Sequence, residues 1–155
     1  MKNLYSINVH SLFRSIMISA GCLSALSASA ALKITEIMPS NISTIISDKY
    51  DYNGYVEIYN DGEQVDLNGW TVTNEKEGKT DWTLRLSQSH VVKKGYNLLF
   101  FAKDDVAETQ GSSAANMNPL FIGTVSQKLT SDEGKLTLTN GSQTISIEYP
   151  KQYPH

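Results

Sequence analysis

The chain has 155 residues, 13 of them Lys or Arg and 16 Asp or Glu, for a net charge of −3 with histidine neutral. A net-acidic domain lacks the broad positive field that non-specific phosphate binding requires, so nucleic acid is not an expected partner. The single cysteine, Cys22, falls within the first thirty residues, which leaves the remainder without a disulfide, a thiolate nucleophile or a thiolate-ligated zinc and makes a hydrophobic core the source of stability.

Those first thirty residues differ from the rest. Lys2 and Arg14 are followed by the apolar run "SIMISAGCLSAL", and Ala28-Ser29-Ala30 has the small-x-small spacing preferred by signal peptidase. The expectation is an export signal over 1–30, cleaved after Ala30, and a secreted or cell-surface protein with no membrane span once the signal is removed. Ala20-Gly21-Cys22 resembles the end of a lipoprotein processing box, but Ser19 is polar where an aliphatic residue is wanted, so lipidation at Cys22 is the weaker reading. Without Lys2 and Arg14 the balance is 11 cations against 16 anions, a net charge of −5. Residues 31–155 suffice for one domain that buries well over half of its unfolded surface.

From residue 32 onward the apolar period is two nearly everywhere. Strands are expected at 32–38 ("LKITEIM"), 54–60 ("GYVEIYN"), 69–74 ("GWTVTN"), 81–86 ("DWTLRL"), 90–92, 96–103 ("YNLLFFAK"), 120–125, 134–139 ("GKLTLT") and 144–149 ("TISIEY"), with a short strand between the breaks at Asn60-Asp61-Gly62 and Asn68-Gly69. Short strands at this spacing indicate an antiparallel sandwich or barrel. Trp70 and Trp82 lie inside alternating segments and read as core. The segment 96–103 is apolar on both sides, which predicts a central strand whose second face is covered by one of the irregular stretches 39–53 or 104–119. For the last two strands a four-residue loop over Asn140 to Gln143 would set Leu138 against Ile145 and Leu136 against Ile147; a tight Asn140-Gly141 turn, the competitor on turn chemistry, would break that pairing.

Few residues assemble into recognisable chemistry. Glu36 and Glu57 each sit within a strand between apolar neighbours, and glycoside hydrolysis needs two carboxyl groups about 5–9.5 Å apart. No third group completes a mechanism, so both are read as structural acceptors; alternation does not decide which way Glu36 points. Asp51, Asn53 and Gly54 match the middle of a calcium loop, but Lys49 and Asn60 stand where its end ligands belong. That excludes an EF-hand and leaves Asp48, Asp51 and Asn53 as weak calcium candidates. Tyr50, Tyr52, Tyr55 and Tyr59 could form a ligand platform, although tyrosine is also an ordinary strand residue. His90 and His155 read as surface residues, and Lys93-Lys94 as a solvated doublet. Asn41-Ile42-Ser43 and Asn140-Gly141-Ser142 fit the glycosylation rule, which matters only in a host with that machinery. No cofactor is expected.

"ITEIMPSN" (34–41), "GYVEIYNDGEQVDLNGWTVTN" (54–74), "DWTL" (81–84), "VVKKGYNLLFF" (91–101) and "DEGKLTLTNGSQTISIEY" (132–149) together resemble the lamin tail domain family, in its secreted bacterial type. The signature residues of this resemblance are Glu36, Glu57, Asp66, Gly69 and Trp70. It implies an all-β, immunoglobulin-like antiparallel β-sandwich with no active-site residues to carry over, and a non-catalytic structural or interaction module, in some relatives one part of a larger exported protein. The partner expected from it is a protein or a cell-surface glycan. The alternative is a carbohydrate- or calcium-dependent binding module that targets an extracellular enzyme to its substrate. Within the central segment Val56, Ile58, Leu67, Trp70 and Val72 are expected to supply core, with Glu57, Asp61 and Asp66 satisfying backbone donors where the chain turns.

Overall fold

A computed structural model describes residues 31–47, 51–103, 107–110 and 118–153, and these contain eleven strands and no helix. The strands are β1 (Leu32–Met38), β2 (Gly54–Asn60), β3 (Val65–Asp66), β4 (Thr71–Lys76), β5 (Lys79–Arg85), β6 (Val91–Val92), β7 (Gly95–Phe101), β8 (Thr109–Gln110), β9 (Phe121–Val125), β10 (Gly134–Thr139) and β11 (Thr144–Tyr149). A five-stranded sheet in the order β1-β2-β7-β9-β8 and a four-stranded sheet in the order β11-β10-β4-β5 make an all-β sandwich, and β3 pairs with β6 in a short ribbon. All of these pairings are antiparallel except β7 with β9, which run parallel. The expected export signal and Cys22 lie outside the described residues.

Alternation explains the layering, because every second side chain of a strand faces the opposite sheet. Val56 and Ile58 from β2, Leu99 and Phe101 from β7, and Ile122 and Val125 from β9 meet Val72 from β4, Leu136 and Leu138 from β10, and Ile145 from β11 in one buried cluster. Leu67, Trp70, Leu86 and Leu129 join it from outside the strands. Trp82 is only half-buried, with its ring 6.1 Å from that of Phe101. The β10–β11 register sets Leu138 against Ile145 and Leu136 against Ile147, the outcome of the longer loop. Asn140 holds that loop by accepting the Ser142 and Gln143 N–H groups at its Oδ1.

β7 is central and buried on both faces. Its outer residues Leu98 and Phe100 form a second cluster with Tyr55 and Phe121, over which Met38 and Ile45 pack. Ile45 belongs to the 39–53 stretch, which therefore supplies part of the expected cover. The orientation of Glu36 is settled by a bulge: Ile34 pairs with Ile58 and Glu36 with Glu57, so Thr35 is the extra residue. An extra residue reverses the alternation, which turns Ile37 into the core and Glu36 outward.

The β4–β5 hairpin is longer than its apolar pattern indicates. It runs on through Lys76 and Lys79 and closes over Glu77 (φ 49°) and Gly78 (φ 73°), the pair of left-handed residues that a two-residue hairpin turn requires. β7 stops at Phe101 rather than 103, and β8 is not foreshadowed by any periodicity.

Candidate functional site

The segment Asp66-Leu67-Asn68-Gly69-Trp70 links β3 to β4, and its residues divide the labour. Leu67 and Trp70 are buried; Gly69 adopts a left-handed φ of 80°, and its N–H reaches the Leu86 carbonyl oxygen at 2.9 Å. The Asp66 carboxylate accepts at Oδ1 from the Asn68 and His90 N–H groups (2.9 and 3.1 Å) and at Oδ2 from the Ser89 hydroxyl (2.6 Å). Burial on its own would raise its pKa, but these bonds and the nearby His90 ring outweigh it and hold Asp66 below the usual aspartate value.

His90 corrects the sequence reading. It is fully buried rather than on the surface, because its ring fills the space over Gly123: a Cβ at that glycine would collide with the His90 ring. Nδ1 lies 3.1 Å from the Ile122 carbonyl oxygen and Nε2 lies 2.8 Å from Glu108 Oε1. The Glu108 carboxylate also accepts from the Ser87 hydroxyl at 2.6 Å and from the Ser87 and Gln88 N–H groups. Burial would raise the Glu108 carboxyl, yet its donors from Ser87, His90 and Gln88 prevail and keep it below the ordinary value, hence ionised. The ring nitrogens thus face a carbonyl oxygen on one side and a carboxylate on the other, and both of these are acceptors. Ser87 donates to Glu108 rather than to His90, so there is no nucleophile–base contact and no triad. The cluster ties the strand-poor 107–110 segment to the 87–90 turn. His155 lies outside the described residues.

The two strand glutamates face each other directly across β1 and β2. Glu36 accepts from the Tyr55 phenol at 2.7 Å, and Glu57 from the Thr35 hydroxyl at 2.6 Å. Burial, then the Glu36 carboxylate, push the Tyr55 phenol well above the ordinary tyrosine value, so it acts only as a donor. The donor that Glu57 satisfies is a hydroxyl rather than a backbone N–H. The turn after β2 is instead held by Asn60, which accepts from Gly62 N–H and donates to the Glu63 and Val92 carbonyl oxygens. Asp61 accepts the Ala31 N–H at 3.2 Å.

The tyrosines do not share one surface. Tyr55 is buried against Phe100; Tyr59 packs at 4.9 Å on exposed Tyr96 with the Lys33 ammonium over its ring; Tyr52 is 40% exposed on the 39–53 stretch; Tyr50 lies outside the described residues. Asp48 lies outside them too. Among the described residues no three His, Cys, Asp or Glu gather closely enough to hold a metal ion. Asp51 Oδ1 accepts the Tyr52 N–H, and the Asn53 side-chain amide donates to the Ser47 hydroxyl.

Several hollows open on the described surface, and one of them is framed by the irregular 39–53 stretch. This hollow of about 360 Å³ opens at the surface of the sandwich, between residues 39–42 and 51–54, the end of β7 and the 128–131 segment, with Ile42, Asp51, Tyr52, Lys103, Lys128 and Ser131 among its lining. Its walls are fixed from beneath. Buried Asn41 donates to the Ile45 and Asn53 carbonyl oxygens and accepts the Thr44 N–H, stapling both limbs of the stretch together. On the other side Trp82 Nε1 donates to the Lys128 carbonyl oxygen at 2.9 Å, and Leu129 is buried in the core. Asn41 was visible in the sequence only as a glycosylation match; its amide is spent on backbone oxygens. Lys103 and Lys128 are far apart in sequence and line the same hollow only once the sandwich closes.

Among the described residues no helix is long and apolar enough to cross a membrane. A scan of the chain against protein-family models finds no match, and neither does a search of curated proteins.

Proposed function

We propose that the chain is an exported, non-catalytic interaction module with an immunoglobulin-like sandwich of the lamin tail type, which engages a protein or a cell-surface glycan through the surface that carries residues 39–54. The observation that carries this reading is the contrast between its polar groups and its exposed apolar ones. Glu36, Glu57, Asp66, His90 and Glu108 each have a fixed partner inside the fold, and among the described residues no buried side-chain polar atom lacks one. Ile42 and Tyr52, by contrast, are 46% and 40% exposed where they line one hollow, and Ile46 of the same stretch is 42% exposed; exposed apolar side chains that gather on one loop mark interaction sites more often than scattered ones do.

Export after cleavage at Ala30 fits the same geometry, since the new α-ammonium at Ala31 would meet the Asp61 carboxylate that already accepts its N–H. The test is binding of the purified protein to intact cells and to glycan-coated surfaces, with a Ile42→Ser, Tyr52→Ala double variant alongside. Loss of binding with unchanged unfolding supports the reading. Turnover of esters, phosphates or glycosides by the purified protein overturns it.

A further inference from the structure

The hollow has a charge character opposite to that of the chain as a whole. Lys103 and Lys128 both line it and are exposed, and neither makes an ion pair with another described residue. Their backbones are rooted. Lys103 follows fully buried Phe101 and Ala102, whose N–H is bound to the Val125 carbonyl oxygen at 2.9 Å; Lys128 is held by Trp82 and precedes buried Leu129. Two ammonium groups rising from anchored backbone into one hollow, in a protein with an excess of acids, can receive an anion. The rest of the lining adds polar groups and a ring: the Asp51 carboxylate makes no bond at Oδ2 to another described residue, the Ser131 side chain is exposed, and the Tyr52 ring is partly open to solvent. An aromatic face with carboxylate and hydroxyl groups beside it suits the apolar face and hydroxyl rim of a pyranose.

We infer that this hollow is a binding site for an acidic saccharide, a uronate-containing glycan whose carboxylate is held by Lys103 and Lys128 while a sugar ring lies against Tyr52. This rests on the interaction-module reading and names its ligand class.

The test is calorimetric titration of the purified protein with a galacturonate trisaccharide, with a neutral galactose trisaccharide and with a tri-glutamate peptide, each at low and at physiological salt. Binding of the galacturonate alone is expected. It should weaken as salt rises and fall about ten- to a hundredfold in the Lys103→Ala, Lys128→Ala double variant, the loss of charge-assisted hydrogen bonds. Both lysines are exposed, so the variant should unfold as the wild type does, and circular dichroism checks this. Equal binding of the neutral sugar, preference for the tri-glutamate peptide, or undiminished galacturonate binding by the double variant would each overturn the inference. Failure of all three probes would overturn it as well. Cell-surface binding that depends on Ile42 and Tyr52 but not on the lysines would retain the module reading while removing this ligand.

Discussion

Truncating Glu108 to alanine removes the carboxylate partner of the fully buried His90 ring and the acceptor for Ser87 and Gln88 at the same time. The His90 side chain is 0% exposed and that of Glu108 10%. Removing the charged partner of a buried polar group costs about 3–5 kcal/mol. Glu108 lies at the rim, where water can enter and solvate what is left, so the lower end, about 3 kcal/mol, is expected. With a urea dependence of about 2 kcal/mol per molar, the midpoint of unfolding should fall by about 1.5 M. Glu108→Gln is the informative partner. Its amide oxygen still accepts from the 87–88 turn, and its NH₂ can donate to a neutral His90 Nε2, so the expected cost is only about 1–2 kcal/mol. The sign with pH follows from the carboxyl being held below its ordinary value of 4.5. Its stabilisation is fully present above that pH and is lost as the pH falls through the lower folded value, so the gap between wild type and Glu108→Gln should narrow in acid. A wild-type midpoint for Glu108→Ala would refute the clamp, and a wild-type midpoint for Glu108→Gln would show that charge has no part in it.

Trp70→Ala empties a 3%-exposed site in the main cluster and should cost about 3–5 kcal/mol by denaturant unfolding. Gly123→Ala would drive a methyl group into the His90 ring and the Thr109 carbonyl; overpacking of this kind costs about 3 kcal/mol or more, whereas Gly78→Ala, with open space around it at φ 73°, should cost only about 1–2 kcal/mol, and the two are compared by thermal melts. Asn41→Ala releases both limbs of the 39–53 stretch and should lower stability by about 1–3 kcal/mol. Limited proteolysis should then cut first within that stretch.

Where side chains alternate between water and core, the sequence alone locates the strands: β1, β2, β10 and β11 begin and end at the expected residues, and Leu138 against Ile145 follows from the requirement that apolar groups share a face. Where the chain is polar on both sides, as in Glu75-Lys76 and Lys79-Thr80, backbone pairing continues without leaving a periodic trace. The bulge at Thr35 is invisible for a related reason, since either orientation of Glu36 satisfies alternation on one side of it. His90 was misjudged because its burial depends on Glu108, 18 residues away, and on the absence of a side chain at Gly123. Neither fact has a local signature. The hollow is harder still, for Lys103 and Lys128 are ordinary surface lysines until β7 and the segment after β9 are brought side by side.

The one parallel ladder gives the chain a preferred order of assembly. β10 and β11 can meet as soon as their short connection exists, but β9 must return past the whole length of β7 before Phe121 can lie beside Leu98. Closing so long an excursion costs entropy before any contact is gained, and such pairings are slow to form. Until β9 docks, the flank of β7 with Phe100 and Phe101 is bare, a sticky seam on a half-built molecule. The interval between synthesis of Phe101 and docking of Val125 is therefore the period of greatest vulnerability to self-association, and dilution during refolding should improve the yield.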